Sequence, residues 1–207
     1  GDKFQKCLIQ WEGYTFDYSK DHPEKWNITE GKEWHIFGGL RFYGFWPLWD
    51  VHIYKFRWTG VTEDGRVQHK EEWLDYILLK DDVYLCIVPA AEDKNLLPLR
   101  IELFLTIRVK NPYKAKFAIQ NWLETVINRM QPLIRQFIAK YPYEDLLPMG
   151  YEAIGKGIRT ELEKVGLIGD EGEFVQRYGV EVRKIEVREI EPPKDWRAVT
   201  LQKFEAE

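Results

Sequence analysis

The side chains able to do covalent chemistry are few and scattered. Ser19 is the only serine in the 207-residue chain, and no GxSxG elbow surrounds it. Cys7 and Cys86 are the only cysteines, too far apart in sequence to suggest a zinc set or a disulfide framework. Cys86 lies in VYLCIVP, an apolar stretch where a thiol is expected to be buried and inert. His22, His35, His52 and His69 show no metal-ligand spacing, and neither HExxH nor CxxC occurs. His52 reads as a surface or satisfied histidine. The stretch GKGIR (Gly155 to Arg159) superficially evokes a phosphate loop, yet it falls in a helical pattern and lacks the Lys-Ser/Thr pair. GDEGE (Gly169 to Glu173) misses calcium-loop spacing and reads as an exposed turn. No spacing here points to catalysis or a metal, so the expectation is a non-enzyme with no cofactor.

Binding chemistry is better represented. GGLRFYGFWPLWD (Gly38 to Asp50) is aromatic, and Gly44 and Pro47 argue against one regular element. Two uses stay open for Phe45, Trp46, Leu48 and Trp49. They form a loop dipping into lipid headgroups, where an indole ring is apolar and its N–H stays wet, or they fill a core or subunit contact. A third reading, from another class, is a soluble aromatic-rich module stacking glycans on exposed rings. Nucleic acid is not expected, because 34 acidic against 30 basic residues leave a net charge of −4.

The elements that must carry these residues follow from periodicity. The first 73 residues are turn-rich and aromatic, with seven of the nine tryptophans, and short strands are expected there. Val51 to Val61 reads as a half-buried strand with Tyr54, Phe56 and Trp58 on one face and Lys55 and Arg57 on the other. TEDGRV carries an Asp-Gly turn. DYILLKDDVYLCIVP reads as two short strands meeting at Lys80-Asp81-Asp82.

The clearest strand is LPLRIELFLTIRVKNP, apolar at Leu97, Leu99, Ile101, Leu103, Leu105, Ile107 and Val109, with Phe104 the sole apolar exception on the polar face. It closes at Asn111-Pro112, where Asn can cap a helix and Pro can start one.

Trp122, Val126, Met130, Leu133 and Phe137 then recur at helical spacing, and Pro132 is expected to kink or split that helix. A second helix is expected on Ile154, Ile158, Leu162 and Val165. In GVEVRKIEVREIEPP the apolar steps of two, three, two and three require bulges or bends. Strands, helices, a returning strand and a final helix make the fold α+β. No stretch approaches the roughly 18 consecutive apolar residues of a membrane span. The chain starts without Met, so an upstream segment is expected.

Several stretches in order resemble the SPFH family (stomatin, prohibitin, flotillin; band seven). They are GGLRFYGFWPLWDVHIYKFRW, the hairpin-like DYILLKDDVYLCI, and LPLRIELFLTIRVKNPYKAKF, with Arg108, Val109, Asn111, Pro112, Lys114 and Ala115 at its motif positions. INRMQPLIRQFIAKYPYEDLL, YGVEVRKIEVREIEPPKDW and LQKFEAE, which is similar to the start of a coiled coil, complete the series. Asp82 stands where glycine is usual, Pro132 interrupts a helix that normally runs unbroken, and residues 1–37 match poorly.

The resemblance implies a mostly antiparallel β subdomain (1–112), a helical α/β subdomain (113–193) and the start of a coiled-coil helix (194–207). It implies a membrane-associated scaffold, held by an N-terminal anchor absent from this chain. The implied partners are lipid, further copies or a close paralogue, and in some members a membrane protease. Rings or cages of such domains organise membrane microdomains or restrain proteases. Arg183, Lys184, Arg188, Trp196, Leu201 and Phe204 are the candidate oligomer contacts, with Glu189 and Glu191 beside them; ordinary solvated charges are the competing reading.

Overall fold

The computed structural model describes the backbone of Leu8–Gln10 (β1), Tyr14–Asp17 (β2), Asn27–Glu30 (β3) and Leu40–Phe42 (β4), and residues 52–196 with their side chains. β1 pairs with β4 and β2 with β3, both antiparallel. Tyr54–Val61 (β5) and Val67–Leu74 (β6) form an antiparallel hairpin, closed by the turn from Thr62 to Arg66 that Asp64-Gly65 signals. Asp82–Glu92 (β7), Pro98–Val109 (β8) and Val180–Glu191 (β9) form a sheet in the order β7-β8-β9, all antiparallel.

Period two in β8 works as expected. Leu99, Ile101, Leu103, Leu105, Ile107 and Val109 are buried, and each such side chain contributes ~1.5–3 kcal/mol by leaving water. Their partners across the register, Tyr84, Cys86 and Val88 on β7 and Val182, Ile185, Val187 and Ile190 on β9, share that face and the core. The uneven steps in β9 are resolved by two irregularities. The pairing skips Arg188 opposite Glu102/Leu103 and Arg183 opposite Thr106/Ile107. Each inserts one residue so that the apolar set stays inward.

The helices lie on the core face. Asn111 caps the first turn, its Oδ1 accepting from the Lys114 N–H at 2.9 Å. A π-helical turn, Lys114–Ala118, then breaks at Ile119, where the backbone is extended (φ −149°, ψ 143°). The long helix α1 is Trp122–Ile138 and runs through Pro132 as one helix, so of the two outcomes expected there, a kink or a split, the split does not occur. Pro132 and Asn128 are both exposed, so the carbonyl that loses its proline partner faces water rather than the core.

Tyr143–Met149 (α2), Tyr151–Lys164 (α3) and Glu173–Tyr178 (α4) follow. Ile154, Ile158 and Leu162 of α3 are buried, but Val165 is exposed because the helix ends one residue before it. The glycine opening GKGIR has a packing role. A Cβ on Gly155 would lie 2.8 Å from the Ile185 carbonyl oxygen, so α3 rests directly on the backbone of β9.

The first strand expected in DYILLKDD is absent: residues 75–81 are irregular, with bends at 75, 76 and 80. Side chains satisfy backbone carbonyls there in place of a ladder. The Tyr54 hydroxyl donates to the Tyr76 carbonyl at 2.9 Å and Arg108 Nε to that of Leu79 at 3.3 Å. The free edge of β7 is managed similarly, by Gln131 donating to the Ile87 carbonyl and Arg135 to that of Pro89.

Candidate interaction surfaces

The β5–β6 hairpin gives the molecule its two ends. At its base, Phe56 stacks between Trp58 and Trp122, at 5.6 Å from each, and meets Tyr54 and Tyr84 edge-on. These rings fix the hairpin to β7 and the start of α1. At its tip, the Gly65 carbonyl accepts from Arg188 at 2.8 Å, on the sheet face opposite the helices. The hairpin therefore crosses the β7 edge, from the core face at its base to the opposite face at its tip.

That opposite face holds a buried charge cluster. Glu102, only 3% exposed, is bracketed by Arg100 at 2.6 Å and by Arg188. Arg188 also lies over the Phe104 ring, which accounts for the one apolar residue on the polar side of β8.

Around the hairpin base lies apolar surface in contact with water. Trp73 is 69% exposed, Phe117 61%, Tyr76 58%, Ile53 47% and Leu78 42%. Phe117, Tyr76 and Leu78 come together around Tyr54. Phe117 meets His52 at 5.8 Å and Tyr113 at 5.2 Å, Lys116 Nζ sits 4.3 Å over Tyr54, and Tyr54 bonds to Tyr76. Trp73 stands on the other face of the hairpin, beside its register partner Lys55, whose Nζ is 5.9 Å from its ring. Sequence reading missed this patch because its members lie far apart in the chain. The available signal was apolar YILL between acidic residues, which was assigned to a strand.

Behind the patch, Tyr54, Tyr76, Tyr84 and Trp122 line a cavity of ≈130 Å³ together with Glu72 and Asp82. Burial, and then the neighbouring Tyr76, push the Tyr54 hydroxyl up to about 12. Burial, and then the charge and hydrogen bond of Asp82, raise Tyr84 further, so both phenols stay protonated at any working pH.

Of the expected membrane contacts, Phe45, Trp46, Leu48 and Trp49 lie outside the described residues, as do Leu201 and Phe204 among the oligomer contacts. Arg183 is exposed, 3.7 Å from Asp81, and its carbonyl accepts from Arg159. Lys184 is exposed and pairs with Glu186 at 2.7 Å. Arg188 is engaged inside the chain, as above. Trp196 packs edge-on against Tyr143 at 5.2 Å, which seats the segment after β9 on α2. Arg183 and Lys184 are thus the described charges of that set that face outward. Lys184, Lys156 and Arg159 border a groove of ≈480 Å³ between α3 and β9.

Among the described residues no cluster of His, Cys, Asp and Glu could hold a metal ion. Cys86 is buried, and desolvation pushes its thiol up to about 12, far from thiolate chemistry. Among the described residues no helix is long and apolar enough to cross a membrane.

These features define a class: an α+β domain with an antiparallel sheet, helices on one face, and apolar surface gathered at one end. The chain belongs to the SPFH domain / Band 7 family, whose model matches residues 40–207. No curated protein matches it. A membrane-associated scaffold role is consistent with that family.

Proposed function

We propose that this domain is a non-catalytic scaffold that lies against a bilayer by the end carrying the hairpin base and assembles side by side with its own copies or a close paralogue. The observation that carries the reading is the exposed set Ile53, Trp73, Tyr76, Leu78 and Phe117. In the sequence, the aromatic run of Phe45, Trp46, Leu48 and Trp49 comes shortly before Ile53. Aromatic rings with a cation among them suit the headgroup layer, where one end of a side chain is apolar and the other wet.

Each large apolar side chain gains up to ~1.5–3 kcal/mol on full burial, so a single copy is a weak anchor. A ring of copies multiplies the effect through effective concentration. Assembly would use the outward charges Arg183 and Lys184, with Trp196, Leu201 and Phe204 directing the C-terminal segment. The parts 1–112, 113–193 and 194–207 would then be the lipid-side, packing and coiled-coil portions. An upstream anchor, microdomain organisation and restraint of a membrane protease belong to the same proposal.

The test is flotation with phosphatidylethanolamine/phosphatidylglycerol vesicles. Trp46→Ser/Trp49→Ser and Ile53→Ser/Phe117→Ser proteins are each expected to float about tenfold less than wild type. The positions in the second pair are exposed, so its fold and melting temperature should be retained. Equal flotation of all three proteins would remove the proposed lipid face.

A further inference from the structure

The cavity at the hairpin base has a composition unlike ordinary core. Six aromatic residues, among them Tyr54, Tyr76, Tyr84 and Trp122, share its wall with four aliphatic ones and with Glu72 and Asp82, and among the described residues no lysine or arginine lines it. Its ≈130 Å³ is far more than the ~10–15 Å³ that admits one water, so a group of several heavy atoms fits.

An apolar guest would strip water from two carboxylates and leave them without a counter-charge, which is costly. An anion would be repelled by them. A primary ammonium would surrender hydration at N–H groups that ring faces satisfy only in part. A quaternary ammonium has no N–H to satisfy, and its methyl groups carry diffuse positive charge that aromatic faces attract. The carboxylates then act at longer range on the same charge. Tyr54 shows the preference already: Lys116, which does not line the cavity, sets its Nζ 4.3 Å from the Tyr54 centroid.

We propose that this cavity is a binding site for a quaternary ammonium group of the choline type. The proposal goes beyond lipid docking and stands without it, because a soluble cation suffices to fill the site. The same chemistry has two sources, a phosphocholine headgroup or a free trimethylammonium solute.

Calorimetric titration of the intact chain with choline, with tetramethylammonium and with 3,3-dimethylbutan-1-ol, the neutral carbon analogue of choline, tests the site at matched salt. Both cations are expected to bind, with the neutral analogue about tenfold weaker. Tyr76→Ala and Asp82→Asn should each weaken choline about fivefold or more, Tyr76 being exposed enough to lose without unfolding the domain. Glu72→Gln, at an exposed strand position, serves as a second carboxylate variant if Asp82→Asn folds poorly.

Equal binding of the neutral analogue, or no heat with either cation, would overturn the site. Phosphatidylcholine vesicles then separate the sources. Displacement of the chain from them by free choline assigns a headgroup, while choline binding with no effect on vesicles assigns a solute. Failure of the lipid face in phosphatidylethanolamine/phosphatidylglycerol flotation leaves the choline titration untouched, so the two readings fail separately.

Discussion

A Gly179→Val chain is expected to melt roughly 6–20 °C below wild type. Gly179 ends α4 in the left-handed region (φ +68°), with its N–H bonded to the Val175 carbonyl at 3.1 Å. Its own carbonyl accepts from both Lys110 and Asn111, at 2.8 and 2.9 Å. One residue thus closes a helix and fixes the point where β8 turns into the helical region.

A non-glycine residue there costs roughly 1–2 kcal/mol in backbone energy alone, and a β-branched one more. The larger penalty is steric. A Cβ would stand 2.5 Å from the Asn111 carbonyl oxygen and 2.8 Å from the Asn111 Cβ, both tied to backbone that cannot swing aside. The total, about 3–5 kcal/mol, corresponds to ~2–4 °C per kcal/mol in a chain of this size. Gly166→Val is the control. Gly166 also has a positive φ (+72°) and follows a helix end, but has nothing within 4 Å of a Cβ, so only the backbone cost should appear. Thermal melts by circular dichroism decide it, and equal shifts for the two variants would show that the Asn111 contact is not close enough to matter.

How much of this was legible depends on whether the signal is local. Leu99 to Val109 declares a strand because one face is uniformly dry, and a period-two pattern records that directly. The broken rhythm of Val180 to Ile190 foretold the irregularities at Arg183 and Arg188 for the same reason: a one-residue slip would expose the whole apolar set. Asn111-Pro112 announced a cap because capping acts within one turn. Whether Pro132 would split its helix was not legible, because that depends on whether the freed carbonyl can reach water, a property of the helix's placement. Val165 misled by one residue, at a helix end.

The binding surfaces were legible only as an excess of aromatic residues. Tyr76 and Phe117 converge because a bent segment and a π-helical turn both meet Tyr54 of the hairpin, and no spacing encodes that. Glu102 was equally hidden. It occupies a polar position of β8 yet is buried, because Arg188 from the returning strand closes over it.

Glu102 carries the second large prediction. A carboxylate so little exposed, facing two guanidinium groups, gains from their attraction only what remains after its own desolvation. Removing it does not return that cost; it leaves Arg100 and Arg188 as neighbouring like charges. Glu102→Ala is therefore expected to destabilise the domain by about 3 kcal/mol. That lies at the low end for breaking a buried pair, because both arginines keep some contact with water.

Replacing the pair together, Glu102→Leu with Arg188→Met, should recover most of the loss, since the Phe104 ring beside Arg188 offers an apolar neighbour to the new side chains. The two routes differ at the hairpin tip. Arg188 alone among the cluster reaches the Gly65 carbonyl, so Arg188→Met and the double variant both release the turn from Thr62 to Arg66, whereas Glu102→Ala leaves that bond in place. Amide exchange should accordingly speed up in residues 62–66 whenever Arg188 is lost, even where global stability has been restored. Protection of that turn unchanged in the double variant would mean that the hairpin is held by its aromatic base alone.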